Sequence, residues 1–380
     1  MFLQFTPDQQ MIREEAERFL REESSSEAVR RVVDAGAGHD ARLWQRISRE
    51  LGWCAMAIGE DRGGLGLGPT EVAILQELTG ARLACVPFWS TVCVAVPLLQ
   101  SAASEPAKAE YLGAIAAGEM AATVAYADLG AVEAAANAGL RARIIPGGYR
   151  LDGRIEQVID LEGADLVLAL AELEDGTTGL FALGRDEGQR VQQHKVIDTT
   201  RPIAMLELAG VEVSARGRID DGGVTDMQLR SALAFANLGL AAEQVGAAQG
   251  ALDATLAYVA GRVQFGRTIA SFQAIKHRCA RLVVDIAEAR SLVFGAALAL
   301  QSGSAVEAER EIAGARVLAT QVQFLAAEEA IQLHGGVGFT WEYDPHLYFK
   351  RAQASAALLG SSERQLDCIA AALFGDGGRS

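Results

Sequence analysis

The chain has few aromatic residues, few cysteines and too few basic residues to balance its acidic ones. Aromatics make up 6% of the 380 residues, and 34 Lys and Arg stand against 49 Asp and Glu, for a formal net charge of −15. Nucleic acids are bound through basic patches, so this balance argues against a nucleic-acid partner. It does not exclude a small phosphorylated ligand, because a few local arginines can oppose the overall field.

The five cysteines form no CxxC pair and show no spacing typical of metal ligands. Each lies in an apolar stretch, which predicts buried free thiols and no metal site, for Cys54, Cys85, Cys93, Cys279 and Cys368. The N-terminus lacks a basic segment followed by an apolar one, and no apolar run approaches about 18 residues. We therefore expect no signal peptide, no membrane span and a cytoplasmic location.

Apolar residues are abundant and make up half of the chain, with alanine and leucine dominating. This composition is typical of packed helices. A chain of this length is expected to form two or three domains. Thr6, Pro7 and Gln9 match the N-cap, first turn and capping box of a helix. Helical periodicity then continues, with a glycine-rich turn at 63–68, to about residue 118. Residues 1–118 are predicted to form an N-terminal helical domain.

The periodicity changes after Met120. Short β-type runs separated by Gly, Asp and Pro predict a middle domain over 119–222 with an antiparallel, barrel-like sheet; they lie at 122–126, 140–145, 148–151, 166–170, 178–182, 204–208 and 211–213. Long helical periods return after Thr225 and predict a C-terminal four-helix bundle over 223–380, with long helices at 227–261, 271–302 and 305–333 and a shorter pair over 345–374. The predicted fold class is a multidomain α+β protein.

Two glycine-bearing segments between the predicted bundle helices carry polar anchors. We call them the first elbow, residues 262–273 (RVQFGRTIASFQ), and the second elbow, residues 332–339 (QLHGGVGF). Glycine lets a ligand approach the backbone, and the Arg262 guanidinium can pair with a diphosphate. Ser271 is a candidate N-cap of a helix whose N-terminus favours anions, whereas His334 is expected to pack rather than react. The elbows predict a site for an extended diphosphate cofactor.

These elbows and the order of the three domains resemble the acyl-CoA dehydrogenase family over the whole chain. The resemblance implies FAD as the cofactor and an acyl-CoA substrate. The ADP half of FAD would contact Arg262, Gln264, Phe265, Ile269, Phe272 and Gln273, and from the neighbouring subunit Gln332, Gly335 and Gly336. Backbone near Tyr126 and Val158 would contact the flavin ring. Also implied are a homo- or hetero-tetramer and an electron-transferring flavoprotein or similar electron acceptor.

The residues expected to perform the chemistry depart from the family pattern. In the family reaction a carboxylate takes the α proton of an acyl thioester while the β hydrogen leaves as hydride to flavin N5. The two positions at which the family carries this carboxylate align with Gly360 and Ala236. The flavin-facing Trp-x-Thr aligns with residues 157–159 (QVI), and a Thr-Glu-Pro block aligns with residues 127–129 (ADL). An aromatic shield and a hydroxyl are therefore missing.

Three hypotheses follow from the missing carboxylate. The chain is one subunit of a heteromeric acyl-CoA dehydrogenase whose partner supplies the base, or the base has moved within the chain, or the chain is a non-dehydrogenating flavoprotein or binding scaffold. For a moved base the candidates are Glu243, which is seven residues or roughly 10.5 Å along the helix from Ala236, and Glu363, which follows Gly360.

Overall fold

The computed structural model describes residues 4–127, 138–185, 188–303 and 305–375. Its N-terminal part consists of helices and short helical turns. The α-helices are α1 (Pro7–Glu23), α2 (Ser26–Ala35), α3 (Ala41–Gln45), α4 (Pro69–Ala81), α5 (Val96–Ala102) and α6 (Glu105–Ala116), with π-helical turns at Arg46–Glu50 and Trp89–Ala95. The Thr6 hydroxyl accepts a hydrogen bond from the backbone of Gln9 at 3.2 Å, and the Gln9 side chain accepts one from Thr6 N at 3.0 Å. This confirms the predicted capping box.

The middle part is a single sheet whose strands follow the order β1-β4-β2-β3-β7-β6, with β5 also paired to β4. The strands are β1 (Ala122–Ala125), β2 (Leu140–Ile145), β3 (Gly148–Ile159), β4 (Leu166–Leu173), β5 (Thr178–Gly184), β6 (Arg190–Gln193) and β7 (Ile203–Ser214). Most pairs are antiparallel as predicted, but β4 runs parallel to both β1 and β2. Periodicity locates a strand without revealing its direction or partner. Among the described strands, the two at the ends of the order do not pair, so the sheet is not a closed barrel.

The C-terminal part is helical, as predicted. Its helices are α7 (Asp226–Gly261), α8 (Gln273–Ser302), α9 (Ala305–His334), α10 (Pro345–Ala357) and α11 (Ser362–Phe374), and a small hairpin of β8 (Val263–Gln264) and β9 (Arg267–Thr268) joins α7 to α8.

Four of the five cysteines are buried, but Cys368 is exposed, contrary to prediction. It lies on α11, a terminal helix that buries little of its own surface. Across the described residues, no helix is long and apolar enough to cross a membrane.

The N-terminal and C-terminal helices share one hydrophobic core, which also receives one face of β1. The closest contact in it is between α4 and α7. A Cβ added at Gly246 would lie 1.7 Å from the carbonyl oxygen of Glu77, and one added at Gly250 would lie 2.2 Å from that of Ala81. These two helices therefore meet backbone to backbone, and only glycine fits between them. Because the two helical parts share a core, the boundaries 1–118, 119–222 and 223–380 stay a prediction.

The contact between α4 and α7 predicts opposite effects for two glycine substitutions. Gly246→Ala will destabilise the protein by about 1–3 kcal/mol, because the added methyl group meets backbone that cannot move aside. Gly295→Ala, within α8 and with nothing within 4 Å of an added Cβ, will be neutral or stabilising by up to about 1 kcal/mol, since alanine favours helix. Urea denaturation followed by tryptophan fluorescence measures both. Equal effects of the two substitutions would contradict the close contact.

Candidate functional site

The first elbow begins with a two-residue hairpin. Strands β8 and β9 pair, and the turn residues Phe265 and Gly266 have φ of +52° and +74°. Two positive φ values are characteristic of the turn that matches strand twist in short hairpins. Phe265 adopts this conformation without being glycine, and its side chain is 91% exposed. A large exposed ring held in an uncommon backbone conformation is typical of a binding surface.

The rest of the first elbow is held by contacts within itself. The Arg267 guanidinium lies 4.0 Å from the centre of the Phe272 ring, and the Phe265 ring meets Phe272 edge-on at 6.2 Å. Ser271 Oγ donates to the carbonyl oxygen of Thr268 at 2.7 Å. The prediction that Ser271 caps the next helix is therefore wrong: the N-cap of α8 is Phe272, which makes no side-chain capping bond. The first N–H groups of α8 stay open to an anion.

The predicted phosphate anchor of the first elbow lies at its start. The backbone N–H of Arg262 donates to Tyr258 at 2.9 Å, and its carbonyl oxygen accepts from Ile269 at 2.8 Å, so both ends of the hairpin are fixed to the end of α7. The Arg262 side chain is exposed and makes no ion pair with any residue in the described ranges. Of the remaining candidates, Gln264 and Gln273 are exposed, whereas Ile269 and Phe272 are half-buried.

The second elbow follows the end of α9 as a short 3₁₀ turn, Gly335–Phe339. Gly335 has φ of +63°, and a Cβ added at Gly335 or Gly336 would meet nothing within 4 Å. Gly338 differs, because a Cβ there would lie 2.7 Å from the carbonyl oxygen of Ile331. The first two glycines thus present open backbone, and Gly338 permits close packing. Gln332, one turn earlier, is exposed.

The fold brings the two elbows to the same end of the helical bundle. The Tyr258 ring stacks on His334 with 4.2 Å between ring centres, and its hydroxyl donates to the His334 carbonyl oxygen at 3.3 Å. His334 Nδ1 also lies 2.6 Å from the carbonyl oxygen of Ala330, and burial lowers the pKa of His334. His334 therefore packs, as predicted. Tyr258 is a residue that the sequence analysis missed, because its partner is far away along the chain.

On the sheet side, the two candidates for contact with a flavin ring are buried. Val158 is fully buried, and the register between β3 and β7 shifts between Ile155 and Val158, so this part of β3 bulges out of the ladder. Bulges are frequent beside functional sites. The Tyr126 hydroxyl is buried without a hydrogen-bond partner among the described atoms, and burial raises the pKa of Tyr126. Neither residue offers an exposed side chain to a ligand. Residues 128–129 lie outside the described residues.

The position of the missing carboxylate on α7 is sealed. Ala236 is fully buried, and its carbonyl oxygen accepts a hydrogen bond from the Trp89 indole at 3.1 Å. One turn further, a Cβ added at Gly239 would lie 2.6 Å from Cys93 Sγ. The π-helical turn that contains Trp89 and Cys93 therefore packs directly on α7. Ala236 is therefore enclosed by the described residues and reaches no open surface.

A buried arginine lies close to both positions at which the carboxylate is missing. Arg316, on α9, donates from Nε to Asn237, the neighbour of Ala236, at 3.2 Å. It donates from Nη2 to the carbonyl oxygen of Leu358, two residues before Gly360, at 3.0 Å. Gln244 also accepts from this guanidinium. Burial lowers the pKa of Arg316 to about 10. The arginine thus ties the loop before α11 to α7, a role that sequence analysis missed.

Glu243 is buried in a cluster of ion pairs. One carboxylate oxygen accepts from Arg351 at 2.9 Å; the other accepts from Gln76 at 2.7 Å and from Arg201. Arg351 also lies 2.7 Å from Asp198. Burial by itself raises the pKa of Glu243, but the two guanidinium groups outweigh burial and lower it. Both oxygens accept from donors and the pKa is lowered, so this carboxylate is a weak base.

The other relocation candidate, Glu363, is an exposed residue in the first turn of α11. A hydrogen bond with Ser361 lowers the pKa of its carboxyl group. An exposed carboxylate at a helix N-terminus is stabilised in its charged form. It also lies at the surface rather than in an enclosed site where a substrate would be held. The geometry therefore argues against both Glu243 and Glu363 as the general base.

Comparisons with known proteins agree with this architecture. The family model described as the acyl-CoA dehydrogenase N-terminal domain matches residues 6–119, and that of the acyl-CoA dehydrogenase C-terminal domain matches residues 223–374. The chain is 33% identical to the acyl-CoA dehydrogenase IpdE2 of Mycolicibacterium smegmatis over 367 residues, which cover 97% of this chain and 99% of that protein.

Two solved structures share the fold over nearly the full length. A chain from a study of the electron-transferring flavoprotein of Acidaminococcus fermentans is 25% identical, with a TM-score of 0.90, covering 99% of this chain and 100% of that one. A chain of the ChsE4–ChsE5 complex from Mycobacterium tuberculosis is 26% identical, with a TM-score of 0.85, covering 98% and 99% of the two chains.

The contacts of Glu243 predict that it stabilises the fold. Glu243→Gln will cost about 3–5 kcal/mol, because it leaves the buried Arg201 without its carboxylate partner and Arg351 with Asp198 alone. The matched control Glu363→Gln, at an exposed site, will change stability by less than about 0.5 kcal/mol. Urea denaturation measures both. A Glu243→Gln protein as stable as the wild type would refute the structural role.

The lowered pKa of Glu243 determines how the stability cost of Glu243→Gln depends on pH. A carboxylate whose pKa is lowered on folding stabilises the protein above its unfolded pKa of about 4.3, and this stabilisation is lost as the pH falls through the folded value. The difference in stability between wild type and Glu243→Gln will therefore stay constant from about pH 7 to 5 and narrow only below about 4. Narrowing already at pH 6 would contradict the assignment.

Proposed function

The chain belongs to the acyl-CoA dehydrogenase family, a family of oxidoreductases, and from this premise we propose a specific role. The chain binds FAD and takes part in the α,β-dehydrogenation of an acyl-CoA thioester. It does so in a heteromeric complex whose second chain supplies the catalytic carboxylate. The observation that carries the proposal is the complete burial of Ala236, the base position on α7, against the turn that contains Trp89, while the two elbows remain open.

The open elbows fit the ADP half of FAD. Arg262 is exposed and unpaired among the described residues, and α8 begins without a side-chain cap, so both offer donors to a diphosphate. Gly335 and Gly336 leave their backbone open, and Phe265 offers an exposed ring. We propose that Gln264, Ile269, Phe272, Gln273 and Gln332 complete this surface. We propose that the second elbow contacts the cofactor of a neighbouring subunit, as the family resemblance implies.

The flavin ring would lie against the bulged part of β3, where the backbone near Val158 and Tyr126 faces it. When bound, FAD supplies the acceptor, N5, for the hydride that leaves the β carbon of the substrate. The residues of this chain hold the cofactor, and its closed α7 position leaves the base to come from the partner. The α proton goes to a carboxylate on the partner, held on the opposite face of the substrate from the flavin.

The same contacts support a second candidate, a non-catalytic subunit or binding scaffold. Since Ala236 is buried and Glu243 is engaged by Arg201 and Arg351, none of the candidate positions within the described residues is placed as a base. The elbows favour the FAD-sharing role over a scaffold without cofactor. Electrons would leave the complex to an electron-transferring flavoprotein or a similar acceptor.

FAD binding is tested at Arg262. Arg262→Met will weaken FAD binding by about tenfold or more, because charge-assisted hydrogen bonds to the diphosphate are lost. The assembly as purified is stripped of flavin and titrated with FAD, and the quenching of flavin fluorescence gives Kd. Arg143→Met, at an exposed position on β2, is the control and will bind like the wild type. Equal Kd values for both variants would remove Arg262 from the site.

The missing base is tested by comparing the chain alone with a complex of the chain and a second, glutamate-bearing homologue. The FAD-loaded chain alone, mixed anaerobically with butyryl-, octanoyl- or palmitoyl-CoA, will keep its flavin absorbance at 450 nm. Co-expression with a homologue from the same organism that carries a glutamate at either base position will give a complex whose flavin is bleached. Bleaching by the lone chain would contradict the heteromeric proposal, and Glu243→Gln would then show whether that residue is the base.

A further inference from the structure

A cavity of about 750 Å³ lies away from the elbows, between the N-terminal helices and the bundle. Its walls come from α1, α2, α4, α7, α8 and α10. None of the residues proposed to contact FAD lines it, and neither do the two positions of the missing base. Its volume is in the range of pockets that bind small molecules, about 300–1,000 Å³.

One wall of the cavity carries two arginines that share a single carboxylate. Glu77, which is almost fully buried, accepts from Arg13 at 3.0 Å and from Arg290 at 3.0 Å. Arg290 also donates to Gln249 at 3.0 Å. The two guanidinium groups come from α1 and α8, so this wall joins opposite sides of the cavity. A single carboxylate between two guanidinium groups leaves an excess of positive charge at this wall.

The other carboxylates that line the cavity are already engaged. Glu17 pairs with Arg21 at 2.8 Å, and Asp344 pairs with Arg30 at 2.9 Å. Asp253 accepts from the amide of Gln249 at 2.8 Å. The charges of Glu17 and Asp344 are thus compensated by ion pairs, whereas Asp253 keeps its charge and is held by an amide donor.

Arg82 differs from every other charged group on this lining. Its guanidinium makes no hydrogen bond or salt bridge with any residue in the described part of the chain, although it is half-buried at the cavity wall. An arginine that lines a cavity without a partner offers a planar set of donors suited to a carboxylate. Arg82 is therefore the cationic group of this lining that is free to bind an anion.

The remaining lining is largely apolar. Leu20, Val29, Leu78, Leu83 and Leu347 lie in the wall and are at most 6% exposed, whereas Phe5, Ala81 and Ala254 are half-buried and present more surface to the cavity. Such a surface gains free energy from covering a hydrocarbon. We propose that the cavity binds an amphiphilic monoanion, a carboxylate on an apolar body, with the carboxylate on Arg82 and the body against the leucines. Bound there, the ligand contacts α1, α2 and α10 at once and ties the N-terminal helices to the bundle.

The test uses decanoate as the probe and isothermal titration calorimetry on the protein as purified. Decanoate will bind saturably with one site per chain and at least tenfold more tightly than hexanoate, because each buried methylene strengthens binding about fourfold. Decan-1-ol, which lacks the charge, and inorganic phosphate, which lacks the apolar body, will each bind at least tenfold more weakly than decanoate. No saturable decanoate binding, or equal affinity for hexanoate, would overturn the proposal.

Two variants locate the ligand. Arg82→Gln will weaken decanoate binding at least tenfold while the melting temperature stays unchanged, since the guanidinium has no partner to lose among the described residues. Ala254→Phe, which adds a ring at the cavity wall, will abolish binding by occupying the space. The matched control Arg18→Gln, on the exposed face of α1 and paired only with Glu15, will leave decanoate binding as in the wild type.

These variants also separate the cavity from the cofactor site. Decanoate binding that survives both Arg82→Gln and Ala254→Phe would place the ligand elsewhere and refute the proposal. Arg262→Met, which addresses the FAD proposal, will leave decanoate binding unchanged. The experiment requires neither flavin nor acyl-CoA, so a failure of the dehydrogenase proposal and a failure of this one give different results.

Discussion

The buried carboxylate of Glu243 joins the three parts of this molecule. It accepts hydrogen bonds from Gln76 of the N-terminal helices, from Arg201 at the start of β7 and from Arg351 of the C-terminal bundle. A buried carboxylate with these partners holds its neighbours in one arrangement, because a shift of any of them leaves an uncompensated charge. The relative placement of the sheet and the bundle, and with it the surface on which a flavin ring would lie, depends on this cluster.

The tight contact of α4 and α7 has a functional consequence. Glycines at 246 and 250 let the two backbones touch, and the chain after α4 then returns through Trp89 and Cys93 directly onto Ala236 and Gly239. The space in which a base and an acyl group would meet on α7 is thereby occupied by the protein's own side chains. The elbows at the other end of the bundle keep their open glycine backbone. A chain that is closed at the catalytic position and open at the cofactor surface is suited to share a cofactor rather than to react alone.

Much of the fold was predictable because its signals are local. The capping box of Thr6 and Gln9, the bundle helices and most strands depend on residues that lie within one or two turns of each other. The same is true of the two elbows, whose glycines and Arg262 stand out in the printed sequence. The short strand β6, all of whose residues are exposed, and the helix α2 carried weaker patterns and were missed.

The sequence by itself determined the order of helices and sheet, the family resemblance and the absence of a carboxylate at 236 and 360, since these depend on residue type and local spacing. Only the tertiary structure decided that β4 runs parallel to two neighbours, that Ser271 caps nothing and that Glu243 is an ion-pair partner rather than a base. It also decided that Arg316 lies near both vacant positions. The physical reason is that strand direction, burial and charge pairing depend on groups tens to hundreds of residues apart, such as Glu243 and Arg351, whose proximity no local pattern records.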